Sequence, residues 1–228
     1  MPDLDHELAG LKKMLITMGG LAAESVRRAV SALVNRDAGL ASTAKETDKD
    51  IDALQLEIDE KAIFLLPVAR SSPEVRFITV AMKIARDLER VGDEATTISR
   101  RAFDLSQDPQ MRPAVDVAKR AEMALSLLED ALKTFISGDS ARAREIIPRD
   151  KEIDVLNKEL HRELTEEIMA NPAVTPRCLN LMVISKSLER IGDHAKNLAE
   201  EVVYLYEGRD IRHTGRGKAR PGEAPRAS

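Results

Sequence analysis

Hydrophobic residues in this chain return at alternating steps of four and three, the period of a helix that buries one stripe. The pattern is most regular in two places. Over 73–106 it runs through Phe77, Ala81, Ile84, Leu88, Val91, Ala95, Ile98, Ala102 and Leu105. Over 176–207 it runs through Leu181, Ile184, Leu188, Ile191, Ala195, Leu198, Val202 and Leu205. Seams sustained over this length pack against neighbouring helices along the whole element. Breakers and caps divide the chain into six helices, expected over 4–35, 37–66, 73–106, 112–137, 139–170 and 176–207. Ser72 before Pro73 and Thr175 before Pro176 set a hydroxyl N-cap ahead of a proline whose missing N–H costs nothing at the first helical position. Asp37 and Asp139 are the expected caps of the second and fifth helices.

The two seams match because the chain repeats itself. Asp48-Lys-Asp-Ile-Asp52 recurs as Asp150-Lys-Glu-Ile-Asp154, and Leu88-Glu-Arg-Val-Gly-Asp93 recurs as Leu188-Glu-Arg-Ile-Gly-Asp193, at offsets of 102 and 100 residues. So long a period marks a duplicated domain and not a solenoid repeat. The expected fold is therefore all-α: a tandem pair of antiparallel three-helix bundles, 1–107 and 108–208, each covering its seams with its own helices. After Glu207 the periodicity stops and Gly, Pro and Arg take over, so 209–228 is expected to be a disordered basic tail.

Composition supports helices and narrows the partners. Only 3% of residues are aromatic and Trp is absent, which disfavours an all-β domain and leaves few platforms for base stacking. The net charge is −4, yet six basic against two acidic residues after Glu207 give the tail +4 and leave −8 on the body. An acidic body repels a polyphosphate backbone and suits cations or basic protein surfaces, so no nucleic-acid role is expected. Cys178 is the single cysteine, which precludes an intrachain disulfide. The N-terminus carries Asp3, Asp5 and Glu7 in place of a basic leader, and no apolar run reaches membrane-spanning length. A soluble cytoplasmic protein is expected, reaching a membrane only through partners.

The candidate chemistry lies in the duplicated acidic motifs. Glu89 with Asp93, Glu189 with Asp193, Asp48 with Asp52, and Asp150 with Asp154 are each four apart and so share a helix face. The seam register predicts that this face is exposed, away from the core. Counted from the intervening turn, Asp48 and Asp93 lie about 27 Å and about 30 Å along their helices, so the pairs meet at one height. Asp154 and Asp193 do the same. Clustered carboxylates suit a hard cation such as Mg, Ca, Mn or ferric iron better than Zn. The alternative is ordinary ion pairing, with Arg90, Arg190, Lys49 and Lys151 beside the acids. Gly92 and Gly192 fall inside helices, where the close approach of a neighbour explains them better than chemistry does. Gly19 and Gly20 are read the same way, or as a kink. His194 is expected to be a surface imidazole. No Gly-rich phosphate loop, nucleophile with a base partner, or Glu-x-x-His pair is present, so no enzyme is expected.

The duplicated Leu-Glu-Arg-(Val/Ile)-Gly-Asp, each copy preceded by Asp-x-x-x-Asp, resembles the PhoU family, as does Met14-Leu-Ile-Thr-Met-Gly-Gly-Leu21. The resemblance implies two three-helix bundles, a homodimer, and negative regulation of the phosphate-starvation response with modulation of the Pst phosphate transporter. It further implies contact with the transporter ATPase subunit PstB and a PhoR-type sensor kinase. Multinuclear iron or another metal would be held by Asp48, Asp52, Glu89 and Asp93, then by Asp150, Asp154, Glu189 and Asp193. The second copy keeps the family's Asp-x-Ala-x-Asn with Asn197, where the first has Thr97, so the second site fits the pattern better. Rival readings are a metal-handling carboxylate protein and a purely structural helical scaffold.

Overall fold

The computed structural model describes residues 3–42, 44–108 and 117–212. The six expected stretches appear as eight α-helices among the described residues: α1 Leu4–Asn35, α2 Ala38–Ser42, α3 Ala44–Leu65, α4 Ser72–Gln107, α5 Val117–Ser137, α6 Ser140–Ile146, α7 Asp150–Ala170 and α8 Thr175–Glu207. The expected start of the fourth helix at 112 lies outside the described residues. The fifth stretch is broken by a 3-10 turn over Ile147–Arg149. Pro148 is the reason, since it removes a backbone donor and clashes with the preceding turn. Two caps shift as well. Ser71, not Ser72, caps α4 in a reciprocal capping box with Glu74. A 3-10 turn over Pro172–Val174 precedes α8, and the Thr175 hydroxyl donates to Pro172 O at 2.7 Å instead of capping the helix. Asp37 and Asp139 do cap, accepting from Leu40 N and Arg142 N at 2.9 Å each.

α1 and α3 flank α4, while α5, α6 and α7 flank α8. Contrary to the expectation of two self-contained bundles, α4 and α8 also pack on each other, and one apolar core runs through both units. Beside the seam legible in the sequence, α4 buries a second stripe, Ile78, Ala85, Gly92 and Ser99. α8 buries Ser185, Gly192 and Ala199 in the same way. A helix at the centre of a fold must cover two sides.

The α4–α8 contact is antiparallel and charged along one edge. Arg101 donates to Asn180 at 3.4 Å, Arg190 pairs with Glu94 at 2.9 Å, His194 meets Asp87 at 2.8 Å, and Lys83 pairs with Glu201 at 3.2 Å. The two Glu-Arg-x-Gly-Asp motifs therefore lie side by side at the crossing. At the far end the chain folds back: Ile211 packs on the core, and Arg212 donates to Glu201 at 2.8 Å, whose side chain is only 4% exposed. Ile211 and Arg212 are thus docked, Arg209 and Asp210 are exposed, and the remainder of the expected tail lies outside the described residues. No helix among the described residues is long and apolar enough to cross a membrane.

Candidate functional site

Each acidic cluster is assembled by one steric fit made twice. A Cβ on Gly92 would stand 3.1 Å from Ile51 Cδ1 and 3.4 Å from Asp48 Oδ1. On Gly192 it would stand 3.0 Å from Ile153 Cδ1 and 3.3 Å from Asp150 Oδ1. The isoleucine of each Asp-Lys-x-Ile-Asp motif therefore seats on the glycine of the Glu-Arg-x-Gly-Asp motif, and that contact fixes the register of the flanking carboxylates. Packing is the role of both glycines. In the first helix, Gly19 admits Leu132 of α5, which a Cβ would meet at 2.5 Å, whereas Gly20 has nothing within 4 Å.

In the first unit α3 and α4 bring Asp48, Asp52, Glu89 and Asp93 together. Burial, then Asp52 and Asp93, push the Asp48 carboxyl above its ordinary value, with Thr96 working in the other direction. Burial and Asp93 raise Glu89 despite the neighbouring Arg90, and Asp52 and Asp48 add to the rise. Arg90 contacts Glu89 at 3.3 Å and Asp93 at 2.9 Å. Among the described residues no cation stands within ion-pairing distance of Asp48 or Asp52.

The second unit brings Asp150, Asp154, Glu189 and Asp193 together between α7 and α8. Burial and Asp150 raise Asp154, and the same two causes lead for Asp193, with Lys196 opposing. Here cations and amides already occupy part of the cluster. Lys196 donates to Asp150 Oδ2 at 3.1 Å, and Lys186 and Asn157 both donate to Glu189. Burial disfavours the Lys196 charge, yet Asp150 outweighs it and the ammonium is held above its ordinary pKa. Asp150 is 3% exposed, and its Oδ1 is buried with no hydrogen-bond partner.

Several expectations need correction. The carboxylates are not fully exposed on separate outer surfaces: only Asp52 is classed as exposed, Asp150 is buried, and the rest are half-buried. The α3–α4 and α7–α8 packing covers Asp48 and Asp150, and the α4–α8 packing places Asp93 and Asp193 in one cleft of about 590 Å3 with Arg90, Arg100, Arg190 and His194. His194 and Asn197 do not support the second cluster. Both bind Asp87 of α4, at 2.8 and 3.3 Å, and His194, the position after Asp193, turns away from that carboxylate. Arg190 leaves its own cluster for Glu94, and Lys49 and Lys151 pair with no described carboxylate. Cys178 is buried, and burial, with Glu167 second, raises its thiol pKa. The sequence reading missed Lys196, Asn157 and Asp87. Asn157 carried a signal, since it interrupts the apolar register of Ile153, Leu160 and Leu164.

The residues fit a hard cation by their oxygen chemistry and by the buried, unpartnered Asp150 Oδ1. Among the described residues, however, no three Asp, Glu, His or Cys side chains are already gathered closely enough to hold one. A cation would have to draw the carboxylates inward, in the second cluster against Lys196 and Lys186.

The chain is similar to known proteins over nearly its full described length. The PhoU domain profile matches it twice, over residues 15–102 and 117–202. A relative from Pseudomonas aeruginosa, the phosphate-specific transport system accessory protein PhoU homolog, is 38% identical over 213 residues, covering 92% of this chain and 87% of the relative. The crystal structure of PhoU from Pseudomonas aeruginosa superposes with a TM-score of 0.87 at 35% identity, covering 91% of this chain and all of that one. The phosphate transport system regulatory protein PhoU from Streptococcus pneumoniae superposes at 0.83 with 27% identity, covering 92% of this chain and 99% of the other.

Proposed function

The chain belongs to the PhoU family, and from that premise we propose that it is a cytoplasmic accessory protein of a phosphate-specific transport system. It acts as a negative regulator of the phosphate-starvation response and a modulator of transport, working as a helical adaptor between a PstB-type ATPase subunit and a PhoR-type sensor kinase. The observation that carries this reading is the similarity to named transport-system accessory proteins over nine-tenths of the chain. A regulator of this kind acts by binding one state of its partner more tightly than another. Deleting the gene should make phosphate-responsive genes constitutive in phosphate-replete medium. Normal repression in its absence overturns the proposal.

A second reading, cation binding, rests on the raised carboxylates and the unpartnered Asp150 Oδ1. Asp48, Asp52, Glu89 and Asp93 would hold one hard cation or cluster, and Asp150, Asp154, Glu189 and Asp193 another. Bound there, a cation supplies charge neutralisation that ties α3 to α4 and α7 to α8. Manganese at a hundred times its Kd should raise stability by about 2.7 kcal/mol. Asp48→Asn with Asp93→Asn should remove the first site's share. An unfolding midpoint indifferent to added cation sinks the reading.

A further inference from the structure

The outer face of α3 exposes Leu56, Ile63 and Phe64 at 66%, 62% and 61% of their surface, two helical turns of apolar side chain facing solvent. The duplication provides an internal control. At the offset of 102 that relates the two acidic motifs, α7 carries Lys158, Thr165 and Glu166 in these places. Both helices bury the same inner face, with Ile51 and Ile58 matched by Ile153 and Leu160. The fold therefore has no need of apolar residues at these three positions, and the cluster they form is local to the first unit, α7 exposing the separated Val155 and Met169 instead.

The rim of this patch is acidic. Glu57 and Glu60 are exposed beside it, with Asp59 half-buried. Between Asp50 and Leu66 the one basic residue is Lys61, which is engaged by Glu7 at 2.7 Å. We propose that the outer face of α3 docks a basic amphipathic helix of another protein, its apolar side chains covering Leu56, Ile63 and Phe64 and its lysines or arginines meeting Glu57, Asp59 and Glu60. The spacing supports this, because Leu56 and Ile63 are seven apart and match the anchors of a helix laid along a helix. A second copy of this chain fits poorly, since a twofold pairing would set the same carboxylates against each other. An anionic lipid surface is repelled by the same charges. The proposal goes beyond the regulatory reading and is independent of cation binding.

The test uses the full chain and an 18-residue probe helix with leucine at i, i+3, i+4 and i+7 positions and lysine elsewhere, followed by fluorescence anisotropy. The variant L56K/I63T/F64E imports the residues that α7 already tolerates and leaves the net charge unchanged. It should weaken binding about tenfold or more with unaltered helical circular dichroism. Glu57→Lys with Glu60→Arg keeps the apolar residues and should also weaken the lysine probe, while a glutamate-for-lysine probe should not bind. Equal binding to parent and L56K/I63T/F64E, or equal binding of the glutamate probe, overturns the proposal. So does self-association, or vesicle binding, that disappears in L56K/I63T/F64E.

Discussion

Replacing Gly192 with alanine places a methyl group 3.0 Å from Ile153 Cδ1 and 3.3 Å from Asp150 Oδ1. Both neighbours are buried, so neither can move aside into solvent. Helix propensity alone favours the change by about 1 kcal/mol. Forcing a methyl into filled space costs about 1–3 kcal/mol. Gly20 isolates the second effect, because it is mid-helix in α1, exposed, and has nothing within 4 Å of its Cβ position. Gly20→Ala should therefore stabilise. The propensity gain cancels between the two variants, leaving Gly192→Ala about 1–3 kcal/mol less stable than Gly20→Ala. For a chain of this size that separates their melting temperatures by about 2–4 °C per kcal/mol. Urea unfolding followed by circular dichroism measures the difference. Ile153→Val removes the methyl that Gly192→Ala strikes, so the double variant should recover part of the loss with a coupling of about 0.5–3 kcal/mol. Equal stability of Gly192→Ala and Gly20→Ala, or a loss that Ile153→Val leaves untouched, refutes the claim that this glycine seats the isoleucine.

Other consequences follow from the same geometry. Burial, Asp52 and Asp93 hold Asp48 above its ordinary value of 3.8, so its ionisation is harder in the folded chain than in the unfolded one. That penalty is absent below 3.8 and complete above the folded pKa. Asp48→Asn should thus gain on the parent as pH rises through this window, and a pH-independent difference in denaturation midpoints would contradict it. Arg212→Ala removes one of two cationic partners from the buried Glu201 and leaves Lys83. A loss of about 1.5–3 kcal/mol is expected, as for a hydrogen bond to a charged group, and calorimetry showing no change would place Arg212 outside the fold's support.

Much of this arrangement could be read from residue order. The paired motifs placed Asp48 level with Asp93 because helical rise is constant and the turn between α3 and α4 is short. Asp37 and Asp139 declared two helix starts through a side chain that can satisfy an orphan backbone donor. Pro148 also carried its own warning, being a proline nine residues past the start of an expected helix. What could not be read was anything set by the meeting of α4 with α8. The turning of His194 and Asn197 to Asp87 and the departure of Arg190 to Glu94 both depend on α4 being packed beside α8. A periodicity argument treats each unit alone, and so it took a half-buried cleft for an open face.

The antiparallel crossing of α4 and α8 also bears on ancestry. Two like helices meeting head to tail at their midpoints is what a symmetric pair of half-length chains would form, with every contact present in duplicate. Joining the halves into one polypeptide lifts that obligation. Glu94 meets Arg190, but the mirrored positions, His194 and Arg90, have taken Asp87 and Asp93 instead. Once fused, each half was free to drift, and a surface acquired by one no longer had to be carried by the other.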